Sequence, residues 1–274
     1  MTLEDHAGDI AAKARSALGV SVGEAAALSG LEVRAYQNFE GTGQGSAALR
    51  FDRLAGRLGL AADRLAAIAG GWLPQPYDLN RWHELRQIST TEGMAVNCYL
   101  IWDAAMHQAA LFDTGWDAQP VFDLIDGNGL ELKHLFMTHG HHDHVAALAA
   151  VRQRFPEAEL HAGPLPAPAD PRSRREAGIE VGGLRVTARP TPGHTEDGTS
   201  YVVQGWAQNA PPVVVVGDAL FAGSMGRSGA AAFRAAKQAV REQILALPPD
   251  TLICPGHGPM TTVGEEWAHN PFFA

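Results

Sequence analysis

The hydrophobic pattern of this chain changes period near Gly70-Gly71-Trp72-Leu73-Pro74-Gln75-Pro76. Before that stretch, Ala and Leu recur at helical spacing. Glu24 to Leu31 and Val33 to Glu40 read as two short helices around a Gly turn, and Phe51 to Leu60 with Leu65 adds further helices. Beyond it, strands take over. Leu85 to Ile88, Ala95 to Trp102 and Gln108 to Phe112 predict a first sheet, with helices at Pro120 to Ile125 and Val145 to Phe155. Leu135 to Thr138 reads as a buried strand, Glu159 to His161 as a short one, and Leu184 to Ala188 as an alternating one. Val213 to Val216 and Thr251 to Cys254 complete the set. Leu165 to Pro171 reads as a Pro-rich exposed loop. Ala230 to Leu247 forms a helix whose Phe233, Ala236, Val240, Ile244 and Leu247 share one apolar face, a core stripe. The pattern predicts a helical unit over residues 1–76 and an α/β unit over 77–274, with no internal repeat.

Polar residues punctuate the ends of these strands. His139-Gly140-His141-His142-Asp143-His144 follows Leu135-Phe136-Met137-Thr138 directly, where a strand hands over to a helix. Such a crowd of imidazoles and carboxylate costs folding energy unless something collects it, because these are poor core residues and repel once protonated. His194 follows a strand within Thr191-Pro192-Gly193-His194-Thr195. Asp218 ends the Val213 to Val216 run, and His257 ends the Thr251 to Cys254 run. Any one alone would be an ordinary structural residue. The repeated strand-then-ligand grammar, each time beside a Gly, places metal-ligand types along one sheet edge. His161 lacks that grammar and reads as structural.

In these residues the chain resembles the metallo-β-lactamase superfamily. His139-x-His141-x-Asp143-His144, His194, Asp218 and His257 match its motif positions in order. The resemblance covers about Asp78 to Ala274 and implies an αββα sandwich, a metallo-β-lactamase fold preceded here by the small all-α unit. It implies two Zn²⁺, with Fe or Mn as alternatives at either site. His139, His141 and His194 would hold the first ion, and Asp143, His144 and His257 the second, with Asp218 bridging them. Asp113 would orient the site. Asp143 and Asp218 are the carboxylates it places in catalysis. The residue types agree, since imidazole suits zinc and a bridging carboxylate neutralises charge between two cations.

Composition narrows the partners. At 274 residues, with 46% hydrophobic and 19% charged residues, the chain is an ordinary globular protein. No run approaches a membrane span, the opening is acidic, and Cys98 and Cys254 lack paired spacing, so a reduced, cytoplasmic setting without membrane contact is expected. The helical unit looks like a Cro/repressor-type helix-turn-helix domain, with Val33 to Phe39 in the recognition position. Its charge is nearly balanced, the whole chain carries a net charge of -9, and Val22 stands where a phosphate-contacting Gln is common. Nucleic-acid binding is therefore disfavoured against a packing or homodimerisation role.

The phrase Gly217 to Ser228 resembles the glyoxalase II branch, and Pro255 to Phe272 resembles its short bacterial form. The expected substrate is a small thioester of the S-acylglutathione type, or a related ester, with Arg227 as a substrate-binding residue. The long form's basic carboxyl-terminal clamp is not seen within the seventeen residues after His257, which predicts weak substrate binding. A persulfide dioxygenase with one iron on His139, His194 and Asp218 shares the Gly226-Arg227 phrase and is the nearest alternative. Both branches usually continue with Thr-Asp, where this chain has Ser228-Gly229. A DNA-binding regulator with a metallo-hydrolase-like sensor domain is the alternative from a different class.

Overall fold

A computed structural model describes residues 2–45, 49–163 and 178–273. Two sheets stack face to face. The first runs β1 (Leu85–Glu92), β2 (Met94–Trp102), β3 (Gln108–Phe112), β4 (Glu131–Met137), β5 (Glu159–Ala162), antiparallel up to β3 and parallel beyond it. The second comprises β6 (Ile179–Val181), β7 (Leu184–Pro190), β8 (Thr199–Gln204), β9 (Val213–Gly217), β12 (Leu252–Pro255) and β13 (Thr261–Thr262), in the order β13-β12-β9-β8-β7-β6. A small hairpin, β10 (Leu220–Phe221) and β11 (Ser224–Met225), follows β9.

The period-two side-chain alternation of strands separates the cores. Tyr99, Ile101, Phe112 and Phe136 face Tyr201, Val213 and Val215 between the sheets. Cys98, Leu100, Leu111 and Leu135 point outward under α6 (Gln119–Asn128) and α8 (Leu148–Arg154). On the other side Val202, Val214, Val216 and Ile253 lie with α9 (Phe233–Gln243) and α10 (Val263–His269). The αββα sandwich is the expected one.

Its second face carries more. Of the amino-terminal helices, α2 (Val22–Ser29), α3 (Val33–Thr42), α4 (Phe51–Leu58) and α5 (Ala62–Ala69) overlap the expected ones, and α1 (Ala7–Ala17) precedes them. Their Ile10, Phe39, Leu54 and Leu65 join one continuous apolar cluster with Leu220, Val240, Phe272 and Phe273. Polar contacts tie the same seam. The Ala61 amide donates to Pro271 O (2.9 Å), Arg64 Nη1 donates to Asn270 O and Phe273 O, and Trp72 stacks on His269 at 4.8 Å. Among the described residues no helix is long and apolar enough to cross a membrane.

Three boundaries differ from the sequence reading. The helix expected over Val145 to Phe155 is broken into α7 (His142–Val145) and α8. His144 O accepts the Thr114 amide (2.8 Å) and hydroxyl (3.1 Å), and the Ala147 amide donates to Gly115 O, so the helical ladder is interrupted by the neighbouring loop. The first strand extends past Ile88 to Glu92 in register with β2. The helix expected from Ala230 spans Phe233–Gln243. The Pro-rich loop Leu165 to Pro171 lies outside the described residues.

Candidate metal centre

Every ligand-type residue singled out from the sequence arrives at one edge of the sandwich. β4 delivers His139, the turn into α7 delivers His141, Asp143 and His144, the β7–β8 turn His194, β9 Asp218 and β12 His257. They form two groups whose ligand atoms lie within 4.8 Å of one another and could each hold a metal ion. One is His139, His141, His194 and Asp218, and the other is Asp143, His144 and His257.

Asp218 stands between them. Its Oδ2 lies 3.4 Å from His194 Nε2, while its Oδ1 lies 3.2 Å from His144 Nε2 and 3.5 Å from His257 Nε2. Asp143 Oδ2 is 3.2 Å from His257 Nε2. Such density needs glycine nearby. A Cβ on Gly256 would fall 2.5 Å from Asp218 Oδ1, and one on Gly226 would fall 1.9 Å from Asp218 O.

Neighbouring groups fix which nitrogen each imidazole offers. Asp113 is buried at φ +55° and accepts the Thr138 amide and hydroxyl, each at 2.7 Å, together with His144 Nδ1–H at 2.8 Å. The Thr138 hydroxyl is spent as a donor there, so its oxygen accepts from His139 Nδ1 at 3.1 Å. His194 Nδ1–H donates to Arg227 O (3.0 Å) and His257 Nδ1–H to Ala95 O (2.6 Å). All four rings therefore turn Nε2 into the cluster, the orientation by which outer partners prepare metal-ligating histidines. His141 instead presents Nδ1, 2.9 Å from His194 Nε2.

The electrostatics are those of a cation site. Burial pushes His139 down to about 4 and lowers His194, leaving neutral imidazoles. Burial also opposes charge on His144, yet Asp113 and Asp218 on its two nitrogens hold it up at about 10. Asp218 is buried, which alone would raise it, but His144 holds it well below the usual carboxylate range. His139 Nε2, His144 Nε2 and Asp218 Oδ1 are buried, and beyond the 3.2 Å contact between the last two no hydrogen-bond partner meets them. Under-satisfied polar atoms of this kind are costly and rare, and their place in the two ligand groups fits divalent cations.

Arg227 is exposed, and its side chain lines the cleft over these groups. Sequence reasoning missed Thr138 and Asn97. The latter is a polar residue inside an apolar strand, and its Nδ2 holds Pro255 O (3.2 Å) and Gly258 O (3.0 Å) around His257. It also missed Glu4, Asp5 and Lys13, which line the same cleft. A third group, His134, Glu159 and His161, lies on β4 and β5. His134 Nδ1 is 3.1 Å from His161 Nε2, and His161 stacks on Phe136 at 4.7 Å.

The family described as the metallo-beta-lactamase superfamily matches residues 91–257. A hydroxyacylglutathione hydrolase of Haemophilus influenzae is 31% identical over 201 residues, covering 64% of this chain and 92% of that one. Among solved structures, ETHE1 from Myxococcus xanthus superposes with a TM-score of 0.58 at 30% identity, over 69% of this chain and 84% of the other. TTHA1623, solved in a di-iron-bound form, gives 0.50 at 27% identity over 68% and 99%.

Proposed function

The chain belongs to the metallo-β-lactamase superfamily, and on that premise we propose that it is a metal-dependent hydrolase of thioesters of the S-acylglutathione type, or of closely related esters. The observation that carries the reading is Asp218, with one carboxylate oxygen turned to each group of candidate ligands. His139, His141 and His194 would hold one ion and Asp143, His144 and His257 the other, with Asp218 available to both. Two Zn²⁺ suit this imidazole-rich donor set. Divalent cations so held would supply an ionised water near neutral pH and positive charge against the oxyanion of the attacked carbonyl.

The remaining work falls to the chain. Asp113 keeps His144 donating from Nδ1, so Nε2 stays free for its ion. Thr138 does the same for His139, and the Arg227 and Ala95 carbonyls for His194 and His257. Asp143, which lines the cleft, would also take the remaining proton of the attacking water and return it to the departing sulfur. The Arg227 guanidinium binds a carboxylate of the substrate. The thioester choice rests on the Gly217 to Ser228 phrase and on the likeness to a hydroxyacylglutathione hydrolase.

A second reading, a mononuclear iron persulfide dioxygenase using His139, His194 and Asp218, draws on the likeness to ETHE1. Metal analysis of protein purified without added metal separates the two, together with thioester loss and oxygen uptake on glutathione persulfide. Two zinc per chain with thioester cleavage is expected. Asp218→Ala should strip at least one ion and lower turnover by orders of magnitude. One iron per chain, with oxygen uptake and no thioester cleavage, overturns the hydrolase.

A further inference from the structure

The wall of the metal cleft opposite the strand ends is built by the amino terminus. Glu4, Asp5 and Lys13 line one cavity of about 280 Å³ with Asp143, His257 and Arg227. All three precede residue 91, where the family match begins. They are held firmly. Lys13 is buried, pairs with Asp5, donates to Met225 O at 3.0 Å and lies over the Phe221 ring. Asp5 also accepts the Ser224 hydroxyl at 2.6 Å. Glu4 is set against the loop after His257. A Cβ on Gly258, at φ +71°, would come within 3.0 Å of Glu4 N and 3.3 Å of Glu4 Cβ.

These contacts sort the charges. Lys13 and Asp5 neutralise each other inside the wall, so neither is free to meet a substrate. Glu4 is exposed, and among the described residues no salt bridge engages its carboxylate. Apart from the candidate ligands Asp143 and Asp218, the mouth thus offers one carboxylate, Glu4, from the amino terminus and one guanidinium, Arg227, from the loop after β11. A partner for both must carry an ammonium and a carboxylate together.

Resting on the hydrolase reading, we infer that Glu4 is a specificity-determining residue that binds the ammonium of a substrate whose thiol half ends in a zwitterionic amino-acid group, such as the γ-glutamyl end of glutathione, while Arg227 takes its carboxylate. The Asp5–Lys13 pair acts through Glu4 as a positioning device.

The test compares S-lactoylglutathione with the uncharged thioester S-lactoyl-N-acetylcysteamine in the wild type, Glu4→Gln and Glu4→Lys. Binding of the non-hydrolysable thioether S-hexylglutathione is measured alongside by calorimetry. Glu4 is exposed, so neither variant threatens the fold. The ratio of kcat/KM for the glutathione thioester over the uncharged one should fall about fivefold in Glu4→Gln, carried by KM, and further in Glu4→Lys. S-hexylglutathione affinity should fall in parallel. An unchanged ratio with unchanged affinity overturns the inference and leaves the hydrolase standing, and so does a loss confined to kcat. Glu4-dependent binding of S-hexylglutathione by a chain that cleaves neither thioester upholds the inference and overturns the hydrolase.

Discussion

The two outer faces of the sandwich are closed by different means. Over the first sheet, Val121 and Ile125 of α6 and Val151 of α8 seal Leu100, Leu111 and Leu135. Both helices are connections between strands inside the family-matched region, so this cover comes with the fold. Over the second sheet, α9 and α10 meet a cluster extended by Ile10, Leu54 and Leu65, from residues that precede the family match. One face is closed by its own crossovers, and the other recruits a separate segment. That segment also reaches the chemistry, because the end of it that docks near β11 carries Glu4, Asp5 and Lys13 into the cleft. Packing and specificity are thereby coupled on one face only.

The sharpest way to break this comparison is to delete residues 1–76. Phe272, Phe273, Met225 and Leu220 are almost fully buried in the cluster shared with the helices. Exposing such a patch costs roughly 25 cal/mol per Å² and invites association. The expected result is loss of soluble, cooperatively unfolding protein, read by yield and thermal circular dichroism. A truncated chain that melts cooperatively and keeps its turnover would make the helices a removable appendage and dissolve the contrast.

A finer probe stays inside the full chain. The Lys13–Asp5 pair is buried, with side-chain exposures of 10% and 8%, whereas Arg57–Glu24 within the helical segment is open at 44% and 45%. Lys13→Met leaves the Asp5 charge uncompensated against β11, a loss of about 3–5 kcal/mol, while Arg57→Met costs under about 1 kcal/mol. Urea unfolding of the two variants measures the difference. Equal losses would mean that the seam is not fastened at Lys13.

What was legible in the sequence follows the same division. The seven ligand-type residues, and Asp113 with them, are written in local text. The strand-end and glycine pattern marks His139, His194, Asp218 and His257 and the crowd around His139, while Asp113 is marked only by the family resemblance. The α6 and α9 regions announce themselves by helical periodicity. The break between α7 and α8 could not be read, because the carbonyl that would continue the helix is taken by Thr114, thirty positions earlier. The amino-terminal wall was hidden for the same reason. Ser224 bonds Asp5 across 219 positions, and no local pattern marks Asp5 or Lys13 as anything but charges before and within a helix. His161 was legible only as a lone histidine. Its meeting with His134 needs the parallel register of β4 and β5.

The smallest effect expected is one of pH, at the same recruited face. Glu266 on α10 is wholly buried and accepts the Gly223 amide, the Thr261 hydroxyl (2.8 Å) and Asn270 Nδ2 (2.7 Å), with no cation among its hydrogen-bond partners in the described residues. Burial pushes its carboxyl up to about 7 from an ordinary value of 4.5, against the pull of those donors. A folded-state value above the unfolded one means that the native chain binds the proton more tightly. The stability this proton lends is fully present below pH 4.5 and is lost as pH rises through about 7. The loss is about 3 kcal/mol over that window. Glu266→Gln keeps the shape of the protonated carboxyl and cannot ionise. Its urea midpoint should match the wild type near pH 5 and exceed it at pH 8. Parallel pH profiles for the two proteins would show that the three donors already hold Glu266 ionised, and that the seam beside Gly223 tolerates a buried charge.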